Sequence, residues 1–379
     1  MRKGVLRSAV LALLCLAGIA HAAAPERRIA LTIDDLPWQR LDERAEPELA
    51  ARHAQLIAAL KRADVPVVGF VNEVKLEVDG QVQPARVQML RDWRDAGVEL
   101  GNHTYGHVDL HAIGLAAYEQ DILRGEVTLR PLLAETGQAP RWFRHPYLRA
   151  GQSPQERAAL GEFLQQHGYR VAPVTVDNSE WIWAFAYDHV RDTDTYPVSR
   201  EARLRQLRRG YVPYMLKKLD YYEQQGQQLL GRLPAQVWLI HANALSADCV
   251  EELVAATRRR GYRFISLEAA LQDPAYQHPD GYNGAGGISW IQRWAMAENK
   301  PKAFYAGEPP VPAWVMTLAG SRGNDAPAQA TGSLLGFCMF SRAWPYCCLR
   351  CWWKAMNSAG ASALENSQPC PNSTWRACR

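Results

Sequence analysis

Arg28-Ile-Ala-Leu-Thr-Ile-Asp34-Asp35-Leu-Pro37 is a short apolar run that ends in two adjacent aspartates. Its β-branched and aliphatic residues predict a buried strand. Neighbours on a strand point to opposite faces, so both carboxylates can serve one site only where the strand breaks. Leu36-Pro37 is expected to supply that break. A second run, Val98-Glu-Leu-Gly-Asn-His103-Thr-Tyr-Gly-His107, closes in two histidines four residues apart. That spacing predicts one face of a helical turn. One Asp and two His form a three-ligand set with open positions, as in catalytic zinc sites. The other carboxylate is then available as a general base.

Three further strand-like runs end in chemically capable residues. They are Arg141-Trp-Phe-Arg144-His-Pro146-Tyr147, Tyr169-Arg-Val-Ala-Pro-Val-Thr-Val-Asp177-Asn-Ser-Glu180-Trp181, and Gln236-Val-Trp-Leu239-Ile-His241. Functional groups at the C-terminal ends of several different strands predict an α/β fold of the (β/α) barrel type. Between them, helices are predicted over Pro47–Arg62, Pro84–Ala96 and Leu115–Thr136, the last two stopping at Gly97 and Gly137.

In these five blocks the chain resembles the polysaccharide deacetylase (NodB-homology) family of metal-dependent carbohydrate esterases. The resemblance runs from about Arg28 to about Leu271 and implies a distorted (β/α) barrel as a single catalytic domain. It implies that Asp34 is the base and that Asp35, His103 and His107 hold a divalent metal. Zn²⁺ is the simplest choice, although such N/O sites accept other first-row metals. It further implies that Arg144 orients the base, that the Tyr147 backbone N–H holds the oxyanion, and that His241 is the general acid. The fourth block departs from the family pattern: Glu180-Trp181 stands where Asp-Trp is usual, which leaves Glu180 and Asp177 as rivals to hold His241. Leu148 follows the third block where the family often has glycine or serine. Trp181 and Leu239 are expected to border the substrate, and Trp38, Trp142, Tyr147 and Trp183 also fall near strand ends.

The activity so implied is removal of N-acetyl groups from an amino-sugar polymer resembling chitin or peptidoglycan, with release of acetate. The alternatives are O-acetyl ester hydrolysis on a polymer such as xylan, and glycan binding without catalysis. A non-haem Fe(II) oxygenase shares the two-His, one-carboxylate set, but has no use for a second adjacent Asp or a distant Leu-x-His.

Length and composition agree with a single α/β catalytic domain. The 379 residues are 47% hydrophobic, enough for one large core, and the net charge of +4 gives no reason to expect a nucleic-acid partner. No repeat of roughly 20–50 residues is evident. Residues 1–22 read as a signal peptide, with a basic start, an apolar run from Ala9 to Ala20 and a small-x-small site at Ala20-His-Ala22. A periplasmic or secreted protein without a stable membrane span is expected, because the apolar run is shorter than the roughly 20 residues a span needs.

The barrel is expected over residues 25–275, with a helical insert at about 184–231 that borders the substrate groove. Residues 276–315 read as an extension packed on the barrel, with a glycine-rich loop at Asp280–Gly287 and a short helix carrying Trp290 and Trp294. Residues 316–379 hold six of the eight cysteines without helical or strand periodicity. They are expected to be a non-native or disordered tail, the alternative being a disulfide-rich surface module.

Overall fold

The computed structural model describes residues 26–41, 46–192 and 199–320. The expected signal peptide and the cysteine-rich segment beyond residue 320 lie outside them.

Seven parallel strands form the sheet. They are β1 (Arg27–Leu36), β2 (Val67–Val71), β3 (Glu99–Asn102), β4 (Trp142–Phe143), β5 (Arg170–Val171), β6 (Gln236–His241) and β7 (Tyr262–Phe264). Their order is β5-β4-β3-β2-β1-β6, and β7 pairs with the first residues of β1. Just past β5, Val176 makes an isolated parallel bridge to Trp238 of β6, so the two ends of the sheet meet. The result is a curled, barrel-like α/β sheet of short strands. Residues 29–36 of β1 and all of β2 are buried, as expected for parallel strands covered on both faces.

Helices α1 (Glu46–Ala63), α2 (Pro84–Asp95), α3 (Glu180–Asp192), α4 (Arg200–Leu230), α5 (Ala244–Arg259), α6 (Trp290–Ala297) and α7 (Ala313–Leu318) supply the outer layer. Further short helices lie at Leu115–Arg124, Leu129–Ala134 and Pro154–Gln166. The helix predicted over Leu115–Thr136 is thus interrupted after Arg124. Gly125 occupies the interruption because a Cβ there would lie 2.7 Å from the Tyr105 nitrogen, in the loop that carries the histidines.

The insert is helical, as α3 and α4, and much of it is buried. Leu207, Tyr211, Met215, Leu219 and Tyr222 of α4 are buried, as are Trp183 and Tyr187 of α3. Both helices pack on each other and on α5, and α7 packs on α3. Helix α7 continues through Leu318, with Val315, Met316 and Leu318 buried, past the boundary at residue 315 read from the sequence. No helix among the described residues is long and apolar enough to cross a membrane.

Candidate active site

The aspartate pair sits where β1 changes register. Its pairing with β6 is regular up to Asp34 opposite His241, whereas its pairing with β2 shifts between Ile33 and Leu36. Asp35 takes a left-handed backbone (φ 70°), a region that Asp enters more easily than most residues. The break is therefore at Asp35 itself, inside the strand, rather than at Leu36-Pro37. Such an irregularity re-aims a side chain, and it lets both carboxylates face His103 and His107. Asp34 Oδ2 lies 3.7 Å from His103 Nε2, and Asp35 Oδ1 lies 3.7 Å from His107 Nε2.

The histidines are not on a helical turn. Residues 103–109 are irregular, with Thr104 (φ 63°) and His107 (φ 51°) both left-handed. Buried Asn102 and Asn72 hold this loop. Asn102 Oδ1 accepts from the Thr104 N–H (2.7 Å), and Asn72 Nδ2 donates to the His103 carbonyl (2.6 Å). The two imidazoles meet edge to face at 4.9 Å. His103 Nδ1 lies 2.7 Å from the Arg144 carbonyl. A carbonyl can only accept, so Nδ1 carries the proton and the Nε2 lone pair faces the aspartates, the arrangement typical of a metal-ligating histidine.

Asp35, His103 and His107 each offer a ligand atom within 4.8 Å of the other two. Two imidazole nitrogens and one carboxylate suit zinc or another first-row divalent ion. Burial pushes the His103 and His107 pKa values down, which keeps both lone pairs available. Burial alone would raise the Asp35 carboxyl, but Lys75, His107, His241 and His103 together hold it well below the usual carboxylate range. The residues present fit such an ion.

Asp34 is placed differently. Burial is the largest influence on it and pushes its carboxyl up to about 6, against the opposing pull of Arg144. Among the described residues its buried Oδ1 has no hydrogen-bond donor, which leaves that oxygen able to take a proton. Fully buried Arg144 lies over the Phe70 ring, with Nη1 3.5 Å from Asp34 Oδ2 and Nη2 donating to Thr32 Oγ1 (2.9 Å). Thr32 in turn donates to the Trp238 carbonyl at 2.8 Å, so the guanidinium is tied to β6.

Beyond the aspartates, His241 Nδ1 lies 2.7 Å from Glu180 Oε2. Burial alone would lower the His241 pKa, but Glu180 and the aspartates raise it above the ordinary histidine value. The second oxygen of Glu180 accepts from Asn243 Nδ2 (2.7 Å) and Ser246 Oγ (3.3 Å), and its backbone N–H donates to Asn178 Oδ1 (3.0 Å). Glu180 is thus the partner of His241, and Asp177 is not. Burial raises the Asp177 pKa, and its carboxyl feels the charges of Lys218 on α4, Glu308 and, more weakly, His241, to whose ring no hydrogen bond joins it. The extra methylene of Glu over Asp spans the distance from the first turn of α3 to the ring.

Tyr147 and Leu148 both have left-handed backbones (φ 56° and 54°), and the Tyr147 ring meets His107 edge to face at 4.5 Å. Of the aromatic residues near strand ends, Trp38, Trp142 and Trp183 are core, whereas Tyr147 is 40% exposed and Trp181 is half-buried. Leu239 is buried in a small cluster with Leu148 and Val174. Sequence reasoning passed over Lys75, whose Nζ lies 3.2 Å from Asp35 Oδ1 and 3.1 Å from the Gln39 carbonyl. Its signal was positional: it follows the C-terminal end of β2 as the other site residues follow theirs. It also passed over Asn243 and Ser246, hidden in a helix cap.

The family described as polysaccharide deacetylase matches residues 21–172. No curated protein matches the chain. Among solved structures, PdaC, a peptidoglycan deacetylase from Bacillus subtilis, is 20% identical, with 65% of this chain and 92% of that one covered and a TM-score of 0.39. The polysaccharide deacetylase Bc1974 from Bacillus cereus is 16% identical over 64% of this chain and 92% of its own (TM-score 0.42). BA3943, a CE4 family pseudoenzyme from Bacillus anthracis, is 16% identical over 65% and 66% (TM-score 0.42). At these scores the likenesses carry no inference about activity. The matched stretch holds the aspartate pair, both histidines, Arg144 and Tyr147, and over these residues the chain is similar to the polysaccharide deacetylase family.

Proposed function

We propose that this protein is a metal-dependent hydrolase that removes N-acetyl groups from an N-acetylated amino-sugar polymer, chitin- or peptidoglycan-like, and releases acetate. One observation carries the reading: the Asp35–His103–His107 ligand set lies between a carboxylate gripped by Arg144 and a histidine gripped by Glu180. Base and acid, each with its pKa raised above the ordinary value, thus face a common centre.

A divalent cation, most simply Zn²⁺, would be held by Asp35, His103 and His107 and would supply Lewis acidity toward an acyl carbonyl and a water. Asp34, with its pKa near 6, accepts the proton from the attacking water, and Arg144 holds its carboxylate in place through Oδ2. The Tyr147 backbone N–H faces the oxygen on which charge develops. His241, kept protonated by Glu180, delivers a proton to the departing amine. Trp181 and Tyr147, the aromatic residues left partly exposed, line the approach of the sugar. A polymeric substrate accords with the export expected from residues 1–22.

Acetate release from chitin oligomers, peptidoglycan and acetylated xylan, measured with and without added divalent metal, tests the reading. Metal-dependent release from the amino-sugar substrates is expected. Release from xylan alone would make the protein an O-acetyl esterase, and glycan binding with no release would make it a non-catalytic binder.

A further inference from the structure

We propose that Arg293, on α6 and outside the stretch that matches the family, is a positioning residue for the Tyr147–Leu148 backbone. The proposal rests on the oxyanion role given to the Tyr147 N–H above. Two consecutive residues that carry a Cβ sit in the left-handed region there, at φ 56° and 54°. L-residues other than glycine avoid that region, and it persists only where the surroundings over-determine it. At Leu148 the burden is specific to this chain, since a glycine there would adopt the conformation without help.

The surroundings come from the segment 280–297. Gly287 lies flat against the Tyr147 carbonyl, where a Cβ would come within 1.7 Å of the oxygen. Arg293 is fully buried, and its Nη2 donates to the Leu148 carbonyl at 2.5 Å. The rest of the guanidinium is fixed as well. Nη1 donates to Asp280 Oδ2 (2.8 Å), Nε donates to the Ile288 carbonyl (3.3 Å), and the Trp290 ring lies 4.5 Å from its centre.

The helix that presents Arg293 is itself tied to the chain leading into the fourth block. The Trp290 N–H donates to the Val174 carbonyl (2.8 Å) and Ser289 Oγ donates to the Thr175 carbonyl (2.6 Å). The Leu148 side chain packs against Val174, Leu239 and Trp290, so one short helix holds both the carbonyl and the side chain of the strained residue. Gly287 fixes the peptide plane after Tyr147, and Arg293 fixes the one after Leu148. Between them they restrain the two peptide planes that follow the one carrying the Tyr147 N–H, and so limit how far that N–H can turn.

The test uses the full chain and the variants Arg293→Met, Arg293→Lys and Leu148→Gly. Arg293→Met should lower kcat about ten- to a hundredfold, while KM and bound metal stay near their original values. In the Leu148→Gly background the same change should cost less than about threefold, because glycine removes the strain that Arg293 holds. Arg293→Lys keeps a cation against Asp280 and Trp290 without the fork that reaches Leu148, and should fall between the two. Should Arg293→Met fail to fold, the lysine variant carries the kinetic test. Amide hydrogen exchange over residues 146–149 should quicken in Arg293→Met or Arg293→Lys, while exchange in β1 is unchanged. This readout needs no activity. A chain inactive on every acylated sugar would sink the functional reading and leave the exchange result to decide the role of Arg293. Unchanged kcat, an equal penalty in the glycine background, or unchanged exchange would overturn the proposal.

Discussion

Asp34 and Asp35 are chain neighbours with opposite environments, and their substitutions should separate accordingly. Asp35→Ala removes one of three ligands, so metal content and activity should fall together. Asp34→Asn should keep the metal and near-normal KM while kcat falls by roughly 10²–10⁴, the usual worth of a positioned general base. Metal analysis beside turnover decides this, and a metal-free or fully active Asp34→Asn protein would contradict the assignment. Glu180 and His241 give a pH prediction. His241 must be protonated to act as acid, and Glu180 helps raise its pKa above the ordinary value. Activity is therefore present below that raised pKa and lost as pH climbs through it. Glu180→Gln removes the charge, so the alkaline limb of kcat against pH should move to lower pH. Asp177→Asn should leave the limb in place, because Asp177 is not the partner of the ring. The aspartates, the histidine pair, Arg144 and His241 were legible because each stands at a strand end in a fixed pattern of residue types. The choice of Glu180 over Asp177 was not, because it depends on where the first turn of α3 points its side chain. Lys75 was missed for a similar reason: its place after β2 marks the region, but the residues Glu73-Val-Lys75-Leu do not say that its ammonium folds back to Asp35.

At the level of elements, α3 and α4 read in sequence as an insert between the fourth and fifth blocks, and in the structure they are core. The charged residues of α4 hid this, since a helix with Arg, Lys and Gln on one side still buries tyrosines and leucines on the other. Trp183 marks the join. Its ring lies 6.2 Å from Tyr211, 5.3 Å from Tyr214 and 5.5 Å from Trp314, and it is 1% exposed. Trp183→Ala should therefore cost about 3–5 kcal/mol, the range for emptying a large aromatic site in a packed core. Urea unfolding monitored by circular dichroism would show this as a lower midpoint with unchanged slope. A shift in substrate preference without loss of stability would instead mark the insert as a groove wall. The strands were easier to read than these helices, because Val, Ile and Leu runs of four to six residues have little else to form. The histidine loop defeated its spacing, since four residues can span one helical turn or two left-handed bends.

For the molecule as a whole, the described chain closes on α7. Val315, Met316 and Leu318 are buried, and α7 packs on α3, the helix whose first turn holds His241. A chain ending at Gly320 should match the full-length protein in melting temperature and turnover. One ending at Val315 loses two buried side chains and should melt lower. Thermal unfolding of the two truncations side by side checks this, and equal melting temperatures would show that the last turn of α7 contributes nothing. Sequence periodicity stops close to this point, but three buried residues in a six-residue helix are too few to set a boundary from pattern alone.

The pairing of β1 with β6 has a consequence in time. Thr32 and Trp238 share a hydrogen bond across 206 positions of chain, and Asp34 lies opposite His241 in the same register. The strand that carries the proposed base is among the first parts of the described chain to be synthesised, and the strand that carries the proposed acid comes about 200 residues later. Loops that long close slowly, and structures rich in distant contacts fold slowly. A growing chain of this protein therefore holds the candidate ligand set Asp35, His103 and His107 long before it holds His241. On the mechanism proposed above, turnover waits for β6.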